Sequence, residues 1–101
     1  MIIYNVTIKV DTSIADDWIV WMKSEHIPGM LITGCFREAN ILRLLEVDDS
    51  EGPTYAIQYK ADSKSAYENY IDAHSVKMRN DSFAKWGNKF IAFRSLMEVV
   101  N

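Results

Sequence analysis

The stretch that decides the fold reads Trp18-Ile-Val-Trp-Met-Lys-Ser-Glu-His-Ile-Pro-Gly-Met-Leu-Ile-Thr-Gly-Cys-Phe36, and it joins an amphipathic helical pattern to a proline turn and the start of a strand. At about 100° per residue, one arc of this helix collects apolar residues and a single histidine: Ile14, Ala15, Trp18, Ile19, Trp21, Met22 and His26. Pro28 disfavours helical geometry at the residue before it. The pattern therefore predicts a helix from Ile14 to His26 that stops there, followed by a short helical turn from Met30 to Thr33.

The segment before this helix has the alternation of a strand. Apolar and polar residues alternate from Tyr4 to Val10, which places the apolar ones on one face of an extended chain. Several of these residues are β-branched, which favours a strand. Ser13 and Asp16 have the spacing of a capping box, so we expect them to begin the helix.

Two strands and a turn are predicted after the helix. Residues from Cys35 to Val47 are rich in Ile, Leu, Phe and Val, which indicates one long strand, bent near Ala39-Asn40 where the alternation breaks down. The run Asp48-Asp49-Ser50-Glu51-Gly52-Pro53 has the composition of a turn. Alternation resumes from Thr54 to Ala61, so the two strands should form a hairpin.

The C-terminal part of the chain repeats the order of a helix and a strand. Asp62-Ser63 marks the start of a helix that reaches Trp86, with a break near His74-Ser75. Gly87 suits the left-handed residue that ends such a helix. Residues from Lys89 to Val100 then alternate as a last strand.

The resulting order is β-α-β-β-α-β within a single domain of residues 1–101. Short connections and right-handed crossovers turn this order into a ferredoxin-like α+β sandwich, with an antiparallel sheet and both helices on one face. We expect the uncovered face to carry Ile3, Asn5, Thr7, Phe90, Ala92, Arg94, Leu96 and Glu98. Because Ile3, Phe90 and Leu96 would form an exposed apolar patch, we predict a homodimer in which two sheets pack face to face.

Composition narrows the classes of partner. The net charge of −3 argues against a general nucleic-acid binder. No apolar run approaches the roughly 18–20 residues of a membrane span. The single cysteine, Cys35, cannot form an internal disulfide, so we expect a cytoplasmic protein. His26, His74 and Cys35 lack the paired spacing of a zinc site, and no metal is predicted.

Blocks of residues along nearly the whole chain resemble a family of short, uncharacterised bacterial proteins that share a domain of unknown function. The blocks are Met1–Thr7, Trp18–Met22, Glu25–Pro28, Thr33–Phe36, Arg43–Val47, Gly52–Tyr55, Trp86–Phe90 and Met97–Val100. That family is similar to the dimeric α/β-barrel group of ferredoxin-like proteins, which includes cofactor-independent monooxygenases, haem-dependent enzymes and small stress-response proteins. The resemblance implies the fold and the dimer but no particular activity, because one fold hosts many functions.

His26 and Trp21 are candidates for binding a ligand. His26 lies at the expected C-terminal end of the first helix, where the helix dipole favours a protonated imidazole. A histidine there suits a general base or a haem ligand, but it equally suits a residue that packs near Trp18 or Met22. Trp21 lies at the edge of the same apolar arc, where it would line the mouth of a pocket.

Arg94 and Arg43 are the other two candidates. Arg94 is a charged residue in an otherwise apolar strand, on the face assigned to the dimer cleft, and Arg43 is a similar case in the second strand. Either guanidinium would hold a carboxylate in bidentate fashion. The alternative is an ion pair with Glu46 or Glu98 within the sheet.

Two functional hypotheses remain open at this point. The first is a non-catalytic homodimeric module that binds a small apolar or carboxylate-bearing molecule, or serves as an interaction scaffold, since no catalytic motif is present. The second is an enzyme of the cofactor-independent monooxygenase type or the haem-using type, with its site in the sheet cleft. No cofactor is predicted under the first hypothesis, and haem is the alternative under the second.

Overall fold

The computed structural model describes all residues from Met1 to Asn101. Its helices and strands follow the order β1 (Ile2–Val10), α1 (Ala15–Trp21), a π-helical turn (Met22–His26), α2 (Ile27–Ile32), β2 (Glu38–Arg43), β3 (Thr54–Ala61), α3 (Lys64–Ala73), α4 (Ser75–Trp86) and β4 (Phe90–Glu98). None of the helices combines the length and the apolar character needed to cross a membrane.

The four strands form one antiparallel sheet in the order β2-β3-β1-β4. The central strand β1 places Tyr4 opposite Tyr59 of β3 on one side and opposite Leu96 of β4 on the other. This topology confirms the predicted ferredoxin-like fold and the predicted hairpin. Within one chain the sheet has two free edges, β2 and β4, and is not closed into a barrel.

The core lies between the sheet and the helices. Its fully buried side chains come from both layers, and the largest are Trp18, Tyr59, Met22, Met30, Ile57 and Val10. Tyr4 is the centre of an aromatic group, because its ring centroid lies 5.4 to 6.0 Å from those of Phe36, Tyr59, Tyr67 and Tyr70. Such offset aromatic pairs add stability beyond the area that they bury.

The first helical segment does not end where the sequence predicted. Residues 15–32 stay helical, so the expected stop at His26 is wrong, and the short turn predicted after it is part of α2. The backbone N–H of Ile27 bonds to the carbonyl of Met22, one residue further back than in an α-helix. This wider turn directly precedes Pro28, whose ring and missing N–H would disrupt a regular α-helical turn.

The two helix starts use different chemistry. Ser63 caps α3, because its Oγ accepts a hydrogen bond from the backbone N–H of Ala66 at 3.1 Å. The capping box predicted at Ser13 and Asp16 does not form. Ser13 instead donates its backbone N–H to Asp11 at 2.9 Å, since the helix begins one residue too late for Ser13 to cap it.

The second helical segment follows the prediction closely. Its break falls on His74, whose φ of −128° is not helical, and it separates α3 from α4. Gly87 ends α4 with a φ of +59° and a ψ of −132°, a conformation that side chains other than hydrogen rarely allow. The positive φ predicted for Gly87 is therefore confirmed.

The second strand is shorter than predicted, because β2 spans only Glu38–Arg43 and has no bend at Ala39-Asn40. Cys35 and Phe36 are buried in the loop that precedes it, which accounts for the apolar composition of that region. The loop after β2 returns against β1 through Gly52. A Cβ at Gly52 would lie 1.7 Å from the carbonyl oxygen of Val10, so this close approach requires glycine.

The face predicted for the last strand is wrong. Val6 pairs with Arg94 and Ile8 with Ala92, and directly paired residues share a face of the sheet. The helix-covered face therefore carries Phe90, Ala92, Arg94, Leu96 and Glu98, and the uncovered face carries Ile91, Phe93, Ser95 and Met97. Both faces of this strand are largely apolar, so its composition did not indicate which face the helices cover, and a shift of one residue inverts the assignment.

Candidate functional site

A small cavity of about 50 Å³ lies between the helices and the covered face of the sheet. Its position is on the helix side, and not in the sheet-to-sheet cleft where the sequence analysis had placed a site. The walls are mostly aromatic and aliphatic, with a few polar groups among them, which is the usual make-up of a ligand site. The lining residues are Tyr4, Val6, Ile8, Trp18, Trp21, Met22, His26, Met30, Tyr59, Tyr70, Met78, Arg79, Ser82, Phe90, Ala92 and Arg94.

The cavity is open to solvent because the helices cover β4 incompletely. Helix α3 packs against β1 and β3 at the centre of the sheet. On the same face of the edge strand β4, Ala92 is only half-buried and Arg94 is exposed, while Leu96 keeps 40% of its surface accessible. The cavity lies beside this incompletely covered edge, because Phe90, Ala92 and Arg94 of β4 are among its lining residues.

The π-helical turn places His26 in the cavity wall. Its imidazole stacks on Trp21, with ring centroids 4.7 Å apart and planes 27° apart. Burial lowers the pKa of His26 to about 4, although the negative charge of Asp81 acts in the opposite direction. The expected protonated imidazole is therefore wrong: the chain stays helical beyond His26, so no helix C-terminus faces it, and desolvation dominates.

A larger groove of about 590 Å³ lies on the other side of that wall, bordered by both helical segments. Trp21, His26 and Met78 line the groove as well as the cavity, so these three side chains form the partition between them. The rest of the groove is mostly polar and consists of Glu25, Gly29, Ile32, Thr33, His74, Lys77 and Asp81. The inner space is thus small and bordered mostly by apolar residues, and the outer one is wide and bordered mostly by polar residue types.

Two arginines reach the cavity from different elements, Arg79 from α4 and Arg94 from β4. Arg79 donates a hydrogen bond from Nη2 to the hydroxyl of Tyr4 at 3.4 Å. Neither arginine belongs to any of the five ion pairs of the protein. The alternative in which Arg94 pairs with a glutamate of the sheet is therefore wrong.

Two of the tyrosine hydroxyls at the cavity, those of Tyr59 and Tyr70, are neutral. Burial raises the pKa of Tyr70, and the positive charges of Arg79 and Arg94 act in the opposite direction. Burial also raises the pKa of Tyr59. These hydroxyls consequently keep their protons at neutral pH and are available as hydrogen-bond donors.

The structure brings together three of the four candidate residues. Trp21, His26 and Arg94 all line the cavity. Arg43 does not, because it forms an ion pair with Asp49 at 3.0 Å in the exposed loop of the hairpin. The partner of Arg43 is thus an aspartate, and not one of the glutamates that the sequence analysis considered.

Arg79 is a site residue that the sequence analysis missed. On α4, the helical period places it on one stripe with residues that lie against the core, namely Ser75, Met78, Ser82 and Trp86. An arginine in the inward stripe of a helix was therefore a readable signal. The signal is weak because the stripe also contains Ser75 and Ser82 and is only partly apolar.

The structure contains no cluster of three or more His, Cys, Asp and Glu side chains with the geometry of a metal site. Cys35 is buried, and its sulfur accepts a hydrogen bond from Nδ2 of Asn69 at 3.3 Å. It is also absent from the lining of the cavity. The chemistry of the site therefore comes from arginine, tyrosine, histidine and tryptophan side chains.

The chain belongs to a family described as a domain of unknown function (DUF4286), whose model matches residues 1–100. No curated protein matches the sequence significantly. The family assignment agrees with the resemblance that the sequence blocks indicated.

Solved structures similar to this chain share its fold at low sequence identity. A dimeric ferredoxin-like protein from an uncultured marine organism has a TM-score of 0.73 and 12% identity, over 99% of this chain and 95% of its own. An EthD family protein from Bacillus halodurans has a TM-score of 0.67 and 12% identity, over 99% and 100%. A protein from Arabidopsis thaliana has a TM-score of 0.60 and 16% identity, over 98% of each chain. These similarities support the ferredoxin-like fold.

Proposed function

We propose that this domain is a homodimeric module that binds a small molecule in the cavity between its helices and its sheet. The observation that carries the proposal is a partly open cavity beside the core, lined mostly by aromatic and aliphatic side chains, with Phe90, Ala92 and Arg94 of β4 among them. Protein interiors have few voids larger than a water molecule. An open, mostly apolar cavity with a few convergent polar groups is the arrangement that ligand sites share.

The walls of the cavity are suited to adjusting around a ligand. Met22, Met30 and Met78 are flexible, polarizable side chains that fill irregular space. Met78 also belongs to the partition next to the outer groove, together with Trp21 and His26. Movement of that partition would enlarge the cavity without disturbing the sheet.

Ligand binding is testable with intrinsic fluorescence, because Trp18 and Trp21 line the cavity. We expect short apolar alcohols and carboxylic acids to change the emission saturably. The variant Ala92→Leu fills the cavity from β4 and should abolish the change. Ala84→Leu, at an exposed position of α4 outside the cavity, is the matched control and should bind like the wild type. Identical responses from wild type and Ala92→Leu would refute the proposal.

The homodimer is supported by the uncovered face of the sheet. This face exposes large apolar side chains of the edge strand β4, with Phe93 68%, Ile91 58% and Met97 40% accessible, and Ile3 of β1 lies opposite Met97. Exposed apolar side chains grouped in this way usually mark an interface, and packing two such faces about a twofold axis would bury them. Sedimentation at micromolar concentration should show a dimer, and a monomer there would contradict this part of the proposal.

An enzyme related to the cofactor-independent monooxygenases is the second candidate. His26 and the hydroxyls of Tyr59 and Tyr70 face one cavity, which is the observation in its favour. A general base works best with a pKa near the working pH, and the pKa of His26 near 4 makes it a weak base at neutral pH. Binding without catalysis therefore accounts better for the site.

Haem does not fit the cavity that His26 lines. The cavity measures about 50 Å³, far below the roughly 300–1,000 Å³ of sites for larger ligands. We therefore propose no haem chemistry.

The buried free thiol of Cys35 is consistent with our proposal that the module acts in the reducing cytoplasm.

A further inference from the structure

We propose that the ligand of the cavity is a short aliphatic carboxylate whose head group binds Arg79 and Arg94. This inference rests on the proposed function and specifies the chemical class of the ligand. The inference predicts that a carboxylate binds more tightly than a neutral apolar molecule of the same size, which the cavity alone would also accept.

Two arginines line the same cavity from elements far apart in sequence, Arg79 from α4 and Arg94 from β4. Arg79 reaches inward from α4 to the hydroxyl of Tyr4, a residue that is only 3% exposed. Arg94 lies on the same face of the sheet as Tyr4. Its partner on β1 is Val6, which is two residues from Tyr4 along that strand. Both positive charges act on the hydroxyl of Tyr70. The fold therefore converges two cations on one cluster of tyrosines.

Arg79 and Arg94 differ from the other arginines of the chain because they have no ion-pair partner. The chain has four arginines, and two of them have a carboxylate partner on the surface, Arg37 with Asp62 and Arg43 with Asp49. Arg79 and Arg94 form no ion pair. The carboxylate nearest to Arg79 along α4, Asp81, is engaged by Lys77 at 2.7 Å. The two arginines at the cavity are thus the two whose charge the protein leaves uncompensated.

The composition of the lining favours an anion over a cation. None of the sixteen lining residues is Asp or Glu, so no negative charge opposes an anionic group. A planar guanidinium matches a carboxylate with two parallel hydrogen bonds, and charge-assisted bonds of this kind are stronger than neutral ones. The hydroxyls of Tyr4 and Tyr70 offer further donors to the same oxygens. A carboxylate therefore complements the polar groups of the lining.

The size of the apolar part limits the tail of the ligand. The cavity measures about 50 Å³, whereas a dry cavity that takes benzene measures about 150 Å³. Its inner wall is formed by apolar side chains such as Val6, Ile8 and Met30. On that scale, a tail of about two carbons fits with little rearrangement. A longer tail requires the partition of Trp21, His26 and Met78 to move.

The test is a titration of the full-length protein with n-alkanoates from acetate to octanoate, followed by tryptophan fluorescence and by amide chemical shifts at neutral pH. Each acid is compared with its uncharged primary amide. We expect affinity to rise with chain length and then level off or fall, and each amide to bind about tenfold or more weakly than its acid. Inorganic phosphate is included as an anion without a tail.

Variants assign the head-group contacts. Arg94→Met and Arg79→Met should each weaken alkanoate binding about tenfold to a hundredfold, with amide binding little changed. Arg94→Lys and Arg79→Lys keep the positive charge but lose the two parallel N–H donors of the guanidinium, so we expect an intermediate affinity for alkanoates. Arg43→Met is the matched control and should bind like the wild type. The two site arginines are exposed, so these variants should fold, which circular dichroism verifies.

The outcomes separate this inference from the proposed function. Equal affinity for acids and amides, unchanged by Arg94→Met, overturns the carboxylate assignment but leaves a ligand-binding cavity. Phosphate binding as tight as that of butyrate overturns the role of the apolar tail. If neither acids nor amides bind, and Ala92→Leu is indistinguishable from the wild type, then the proposed function fails as well.

Discussion

The two faces of the sheet are made from the same strands but meet different surroundings. On the covered face, Tyr4 and Ile57 are at most 3% exposed because α3 and the first helical segment lie above them. On the uncovered face, Phe93 is 68% exposed and Ile91 is 58% exposed. The covered face itself changes at the edge strand, where Arg94 is accessible again. The comparison shows that the candidate site lies where helical cover ends, and the candidate interface lies where cover is absent.

The largest expected effect is on the covered face. Trp18 is 2% exposed and stacks on Tyr55 with ring centroids 5.4 Å apart. Trp18→Ala should lower the free energy of unfolding by about 3–5 kcal/mol, since a large buried side chain leaves a cavity behind. Urea denaturation measures this change. Phe83→Ala, at a position 65% exposed on α4, serves as the control and should shift stability by about 0.5 kcal/mol or less.

The second effect is a dependence of stability on pH that comes from His26. Its pKa is about 4 in the folded protein and 6.5 in an unfolded chain, so between these values the unfolded state binds more protons. Stability should therefore fall as pH decreases from 6.5 to 4, by an amount on the order of 2 kcal/mol.

The matched variant for the pH dependence is His26→Gln, which does not titrate. The difference between wild type and His26→Gln in thermal unfolding from pH 7 to pH 4 isolates the histidine, because acidic residues contribute equally to both. If the two curves stay parallel across this range, His26 is solvated like an ordinary surface histidine and the account of its burial is wrong.

The third effect concerns the uncovered face. Phe93→Glu places a charge within the proposed dimer interface and should raise the dimer dissociation constant about tenfold or more, which corresponds to about 1.4 kcal/mol. Val20→Glu is the control, because Val20 is similarly exposed, at 64%, but lies on a helix. Sedimentation velocity across a dilution series measures both. Equal dissociation of the two variants would place the interface elsewhere.

The smallest effect should come from Arg43. Its ion pair with Asp49 joins two side chains that are 53% and 56% exposed. Exposed pairs of this kind contribute about 0–1 kcal/mol, so Arg43→Met should barely change the midpoint of urea unfolding. A loss several times larger would mean that the hairpin loop depends on this pair more than its exposure indicates.

Several parts of the fold were predictable because they depend on local chemistry. The alternation from Tyr4 to Val10 and the turn around Gly52 fixed a strand and a hairpin, and the break at His74 was visible in the helical pattern. The first helical segment is longer than predicted because a π-helical turn accommodates Pro28. The prediction used the steric effect of proline on the residue before it, and that effect is described for a regular α-helical turn. The face of β4 was not predictable, since both of its faces are apolar.

The candidate site was predictable in part. Trp21, His26 and Arg94 were identified by residue type and pattern, and all three line the cavity. Arg94, however, was expected in the dimer cleft on the uncovered face, and it lies on the helix-covered face. Arg43 was selected by the same reasoning as Arg94, yet only the structure separates a surface ion pair from a side chain at a cavity. The protonation of His26 depends on how deeply neighbouring elements bury it, and a single helix does not carry that information.

The sequence by itself determined the order of the elements, the ferredoxin-like sheet and the residue types available for binding, because periodicity, turn chemistry and charge act over a few residues. Tertiary structure alone decided which face of β4 the helices cover, which arginines lack a partner, and whether His26 is charged. These properties depend on register and burial, which arise when segments distant in sequence meet. The stretch from Trp18 to Phe36 illustrates both: its pattern predicted a helix, and its packing against the sheet and α4 made it a wall of the site.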